Sequence, residues 1–157
     1  MNIIQSGIKV KNISIAIIIA RFNEFINQHL LSGAIDTLTR IGSVEKEKIV
    51  QIYVPGTCEI PVVASYIANS NKYNAIIAIG TIIQGSTDHF KYIASDVYSN
   101  LSKISTKYFI PITLGVLITK NIQQSIERSG TKMGNKGSEA ALAALEMINI
   151  MKKLKKI

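Results

Sequence analysis

"AIIAIGTIIQGSTDHF", Ala75 to Phe90, decides the fold in two halves. Up to Ile83 it is apolar and β-branched without alternation, the pattern of a strand buried on both faces, as in a parallel sheet. From Gln84 its character changes, and Gly85, Ser86, Thr87, Asp88 and His89 follow side by side. Such a cluster has two readings. One is punctuation, with a glycine for the turn and a hydroxyl or Asp as the cap of a helix. The other is a site, where free amides at the helix start hold an anion and His89 moves protons.

Three further runs share the pattern: "NISIAIIIA" (Asn12 to Ala20), "KIVQIYV" (Lys48 to Val54) and "ITLGVLIT" (Ile112 to Thr119). Helical spacing separates them. Ile26, Leu30, Ala34, Leu38 and Ile41 line one face of a helix over Asn23 to Ile41, which Gly42 stops. Phe90, Ile93, Val97, Leu101, Ile104 and Tyr108 do the same over Asp88 to Tyr108. A shorter helix follows Pro61, and two more are expected at about Ile122 to Ser129 and Ser138 to Lys153. The alternation predicts an α/β fold, a four-stranded parallel sheet with helices on both faces, forming one domain over residues 1–157.

In sheets of this kind ligands bind beyond the C-terminal strand ends, near the point where strand order reverses. Those ends are "ARFN" (Ala20 to Asn23), "VPGTCEIP" (Val54 to Pro61), "IIQGSTDHF" (Ile82 to Phe90) and "ITKN" (Ile118 to Asn121). Three of them hold turn-forming or chemically capable residues, which favours the site over the plain cap.

Composition narrows the class. The chain has 157 residues, 47% of them apolar, yet no run approaches the roughly 20 apolar residues of a membrane span. The start "MNIIQSGIKVKN" lacks the order of a secretory signal, so a soluble cytoplasmic protein is expected. The only cysteine, Cys58, forms no internal disulfide, and the two histidines stand far apart, so no metal site is expected. The net charge is +8; Lys152, Lys153, Lys155 and Lys156 crowd the end, "MKKLKKI", where cations suit a helix C-terminus, while the other cations are scattered and no nucleic-acid reader motif accompanies them.

Among candidate residues, Gly85, Ser86 and Thr87 can offer amides and hydroxyls to a phosphate, with His89 as proton carrier. Phe22 follows a strand directly and either stacks on a planar ligand or staples the next helix. Glu59 can bind a polyol, although capping the next helix is its default reading. His29, without such neighbours, reads as an ordinary surface residue. Arg128, Lys132 and Lys136 lie in a glycine-rich helix–helix connection and could present charge to a phosphate or to solvent. Ala140, Ala141, Ala143 and Ala144 permit close approach, either within the chain or between chains.

"ARFNEFI", "VPGTCEIPVVA", "AIGTIIQGSTDHFKYIASDV", "PITLGVLIT" and "IERSGTKMGNKGSEAALAALEM" stand in the order and spacing of the 6,7-dimethyl-8-ribityllumazine synthase family, which the chain resembles from about Asn12 to Met151. The resemblance implies a three-layer flavodoxin-like sandwich. It also implies condensation of 5-amino-6-(D-ribitylamino)uracil with 3,4-dihydroxy-2-butanone 4-phosphate, the penultimate step of riboflavin biosynthesis, without cofactor or metal. By that likeness Phe22 stacks on the pyrimidine, and Asn23 with Thr57, Cys58 and Glu59 holds the ribityl chain and ring. Ile82 and Ile83 offer backbone contacts. Gly85, Ser86, Thr87 and Arg128 bind the phosphate, His89 shuttles protons, and Lys136, near Glu139, reaches the ribityl-bearing substrate. The family shares each site between adjacent chains of a homopentamer, the neighbour supplying Leu114, Arg128 and Lys136. It also implies an association with riboflavin synthase.

Three positions depart from the family pattern: Gln84 replaces a common Arg, Cys58 an aromatic and Leu114 a Phe. The first bears on phosphate affinity and the others on packing. Two rival readings are a flavin-binding module of the same fold and a shell protein without catalysis. No insertion lengthens Ser129 to Glu139 and no proline interrupts "MNIIQSGIKVKN", features that permit a closed icosahedral shell of about 60 chains.

Overall fold

A computed structural model describes Met1 to Ile157. The four apolar runs become β1 (Ile15–Ala20), β2 (Ile49–Val54), β3 (Ala75–Ile83) and β4 (Ile112–Thr119). They form one parallel sheet in the order β2-β1-β3-β4. The helices are α1 (Glu24–Asp36), α2 (Ile60–Ser70), α3 (His89–Tyr108), α4 (Ile122–Glu127) and α5 (Lys136–Leu154).

Alternation of side chains along β1 divides the core in two. Ile15, Ile17 and Ile19 pack with Leu30 and Ala34 of α1, Leu38 just after it, and Ala141, Ala144 and Leu145 of α5. Ala16, Ile18 and Ala20 pack with Ile60 and Ala64 of α2 and Val97 and Leu101 of α3. Helices on both faces of a parallel sheet in this strand order make the three-layer, flavodoxin-like sandwich expected from the sequence. Ala140, Ala141 and Ala144 serve the chain's own core beside α1, whereas Ala143 faces outward. No helix is long and apolar enough to cross a membrane.

Some expectations change. β1 is buried throughout and β3 nearly so, but β2 is not: Val50 is 38% exposed and Tyr53 43%. The reason is its place at the sheet edge, since the helices pack over β1, β3 and β4 and give β2 little cover. The helix expected up to Ile41 turns into a π-helical segment at Thr37–Ile41 before Gly42 ends it. The connection after α4 is not an irregular loop. It forms a small antiparallel hairpin, β5 (Ser129–Thr131) with β6 (Gly134–Asn135), and α5 starts at Lys136 rather than Ser138 because Asn135 caps it. Ser138 N donates to Asn135 Oδ1 at 3.1 Å.

Candidate active site

The strand order reverses at β1. From it the chain steps outward to β2 and then back across to β3, which opens a crevice at the C-terminal ends of β1 and β3. Backbone pairing of these two strands ends at Ile19 with Ile79, while β3 continues to Ile83. The last residues of β3 therefore stand beyond the end of β1 as one wall. A cleft of about 300 Å³ lies there, lined by Phe22, Asn23, Thr57, Thr81, Ile82, Ile83, Gly85, Thr87, His89, Phe90 and Ile93.

The turn between β1 and α1 forms the facing wall. Arg21 N donates to Val54 O at 2.8 Å and Phe22 N to Pro55 O at 3.1 Å, tying the turn to the end of β2. Phe22 is 75% exposed, too open to staple α1. Asn23 sits in the left-handed region at φ 65 and ψ 41, a conformation that asparagine tolerates better than most residues. Its side chain does not cap α1. Asn23 Nδ2 donates instead to Thr81 O across the cleft at 2.8 Å, leaving Oδ1 without a protein partner. Asn27, with no exposed surface, bridges the same turn and Thr81.

Thr57, Cys58 and Glu59 form a 3-10 turn leading into α2, and Glu59 makes no capping hydrogen bond, contrary to its default reading. Thr57 packs so closely against Gly80 that a side chain there would collide with the Thr57 methyl group. Cys58 and Glu59 are largely exposed and lie outside the cleft lining. Partial burial, then the carboxylates of Glu59 and Asp96, push the Cys58 thiol above its ordinary range, the opposite of what an activated nucleophile needs.

Gly85 to Asp88 lead into α3 without the side-chain capping that the punctuation reading requires. The nearest approach is His89 N to Thr87 Oγ1, at 3.5 Å and thus weak. In the first turn of this long helix Lys91 N donates to Asp88 O at 3.1 Å, Phe90 N has no protein partner, and no acidic residue is present. Anion binding is what such an end does well. Asp88, just before it, is drawn to Lys91 Nζ at 3.6 Å. His89 stands exposed on the cleft wall within reach of whatever occupies the cleft.

The chain thus brings together Phe22, Asn23, Thr57, Ile82, Ile83, Gly85, Thr87 and His89. Ser86 is exposed in the same turn but does not line the cleft. Leu114, Arg128 and Lys136 lie elsewhere. Leu114 packs on the α2–α3 side of the core from the other sheet edge, β4. Arg128 ends α4, exposed, and its charge is felt by Tyr98 of α3. Lys136 Nζ pairs with Glu139 Oε2 at 3.3 Å. The hairpin holds these two cationic residues in register, because Lys136 N donates to Arg128 O at 2.9 Å. His29 is exposed and its ring packs on Phe25, as an ordinary surface residue does. Sequence reasoning missed Asn27, Thr81 and Asn135. Asn27 and Asn135 left one usable signal: an amide inside, or at the head of, an otherwise apolar helical pattern.

No three His, Cys, Asp or Glu side chains converge anywhere in the chain. The cleft offers a flat aromatic, amide and carbonyl groups, an anion-attracting helix end and one titratable imidazole. It can orient a polar heterocycle against a phosphate ester and exchange protons with it.

Comparison with known proteins agrees with this reading. The profile of the family described as 6,7-dimethyl-8-ribityllumazine synthase matches residues 12–152. A protein of that name from Buchnera aphidicola subsp. Schizaphis graminum (strain Sg) is 85% identical over all of this chain and 99% of its own length. One from Buchnera aphidicola subsp. Acyrthosiphon pisum (strain Tuc7) is 77% identical, over all of this chain and 98% of its own. One from Yersinia pestis (strain Pestoides F) is 52% identical over 99% of both.

Proposed function

The chain belongs to the 6,7-dimethyl-8-ribityllumazine synthase family, and on that premise we propose the following course for its reaction. It is a transferase of riboflavin biosynthesis that condenses 5-amino-6-(D-ribitylamino)uracil with 3,4-dihydroxy-2-butanone 4-phosphate. The 5-amino nitrogen attacks the butanone carbonyl and water leaves as the Schiff base forms. Phosphate departs by elimination. The ribityl-bearing nitrogen then closes on the newly formed carbonyl with loss of a second water, giving 6,7-dimethyl-8-ribityllumazine.

Two reactive partners need positioning and proton transfer more than a strong nucleophile. Phe22 stacks on the pyrimidine, a role supported by its open ring on the rim. Asn23 and the Thr57–Glu59 turn hold the ribityl chain and ring edge, and the β3 backbone at Ile82 and Ile83 meets the heterocycle. Gly85, Ser86 and Thr87 take the phosphate at the α3 terminus. His89 moves the protons, since it is the one imidazole on the cleft wall. Gln84 brings no charge there, so the phosphate depends more heavily on Arg128.

Arg128, Lys136 and Leu114 lie outside this chain's own cleft, and we assign them to the site of an adjacent chain in a homopentamer. Surface apolarity supports contact between chains: Val50 and Tyr53 on β2, Val62 and Tyr66 on α2, and Phe25 are all exposed. Residues 1–157 act as one domain in that assembly. A phosphate ester does not cross an apolar bilayer unaided, which assigns the enzyme to the cytoplasm with its substrate. Association with riboflavin synthase, the consumer of the product, belongs to the same reading and is tested by co-purification.

The observation that carries the reading is the convergence of Phe22, Asn23, Thr57, Ile82, Ile83, Gly85 and His89 on one cleft at the reversal of strand order. Incubation with both substrates should give the lumazine chromophore with one phosphate released per product. A protein that binds flavin and forms no lumazine would instead be a binding module.

A further inference from the structure

Asn27 occupies a place where the pattern of α1 calls for an apolar side chain. It neighbours Ile26, stands one turn before Leu30 and Leu31, and has 0% exposure. Burying an amide is costly unless its hydrogen bonds are replaced. Here all its strong groups are engaged: Nδ2 donates to Ala20 O at 2.6 Å and to Phe22 O at 2.8 Å, and Oδ1 accepts from Thr81 Oγ1 at 2.7 Å. Thr81 is also nearly buried, and its carbonyl accepts from Asn23 Nδ2 at 2.8 Å.

These bonds form a closed circuit at a particular place. Sheet pairing between β1 and β3 stops at Ile19 with Ile79, so beyond it the ladder no longer fixes the gap between the strand ends. Asn27 and Asn23 span that gap, joining Ala20 and Phe22 on one side to Thr81 on the other. Phe22 and Asn23 form one wall of the cleft, and Ile82 and Ile83, directly after Thr81, form the opposite one. An apolar residue at position 27 would pack equally well in the core. It would leave two carbonyls and a hydroxyl unsatisfied and the width of the cleft unset.

We infer that Asn27 is a positioning residue for the pyrimidine substrate, acting with Thr81 to hold the Phe22 wall at stacking distance from the Ile82–Ile83 rim. This rests on the assignment of the heterocycle to that cleft. The phosphate end, at Gly85 to His89, is tied to the circuit only through the chain beyond Ile83, so the two substrates should respond differently.

Asn27→Leu and the near-isosteric Thr81→Val test the point in the full-length protein. Asn27→Leu removes every bond of the amide and should raise the KM for the ribitylaminouracil by about tenfold or more; Thr81→Val removes one donor and should raise it several-fold. The KM for the butanone phosphate and kcat should stay within about twofold in Thr81→Val. Calorimetric titration of the ribitylaminouracil alone reads the same loss as a Kd, whether or not the wild type turns over. Failure of the wild type to form lumazine would sink the reaction and leave the titration to decide on Asn27. Folded variants with unchanged pyrimidine affinity, or with equal losses for both substrates, would reduce Asn27 to a structural core residue.

Discussion

Gly137, in the first turn of α5, lies directly against the backbone carbonyl of Leu30 in α1, leaving no room for a side chain. The same junction is laced by Asn135, whose Nδ2 donates to His29 O at 2.9 Å and to Ser129 O at 3.2 Å. Both surfaces are backbone and cannot swing aside. Gly137→Ala should therefore cost about 3 kcal/mol, the upper end for overpacking, and lower the melting temperature by roughly 6 to 12 °C. Gly85 gives the contrast, since a methyl group there meets nothing within 4 Å. Gly85→Ala should leave stability within about 0.5 kcal/mol, and any effect should appear in the KM for the butanone phosphate.

Replacing His89 by Ala should slow turnover by about one to two orders of magnitude, at the lower end for acid–base groups. Calorimetric affinity for the pyrimidine should change little, because Phe22 and Asn23 are untouched. Wild-type rates across neutral pH would return His89 to the role of a helix-start residue.

For Arg128→Ala the expected change is selective. A charge-assisted hydrogen bond is worth about 1.5 to 3 kcal/mol, so the KM for the butanone phosphate should rise roughly tenfold to a hundredfold. The KM for the pyrimidine should rise far less. Equal increases would remove Arg128 from the phosphate site.

Tyr98 gives a pH-dependent stability. Its hydroxyl donates to Val116 O at 3.0 Å, and burial raises its pKa above the ordinary 10.0, with Arg128 partly opposing. A raised folded-state pKa means that the contribution is complete below about pH 10 and is lost as pH climbs through the folded value. Wild type should exceed Tyr98→Phe in urea midpoint at about pH 8, and the gap should narrow as pH rises above about 10. A gap that widened with pH would contradict the buried, neutral hydroxyl.

Much of this was legible in the sequence because burial and periodicity leave linear traces. Ala75 to Ile83 and Ile112 to Thr119 are strands with the very ends their apolar runs suggest, since nothing local competes with the sheet. β2 looked the same as its neighbours, because composition reports apolarity and not which strand lies at the edge. The cleft residues followed from strand ends, a rule about topology that needs no contacts. Asn27 did not: one amide in an apolar stripe becomes meaningful only when Thr81, 54 residues away, is seen to face it. The hairpin from Ser129 to Asn135 was hidden for a similar reason, its glycines suiting a loop and a tight β-turn alike.

Assembly size is open to direct measurement. Light scattering or negative-stain microscopy near neutral pH should find shells of about 60 chains, given a short Ser129–Glu139 connection and an unbroken N-terminal segment. In the single chain that segment rests on α5, with Asn149 Nδ2 donating to Gly7 O and Lys9 O. Uniform pentamers in every buffer would reject the shell, and an active monomer would overturn the shared site.

The separation of Arg128 from the cleft that holds His89 has a genetic consequence. If each site is assembled across a boundary, a chain is not the unit of activity, and lesions in its two halves belong to different sites. Chains bearing His89→Ala and chains bearing Arg128→Ala, each crippled alone, should rescue one another when unfolded and reassembled together. With equal amounts and random mixing, roughly a quarter of the sites draw an intact half from each pool and regain full activity. A double variant on one chain, mixed with wild type, distributes its damage over two neighbours and poisons more sites than its share of the chains.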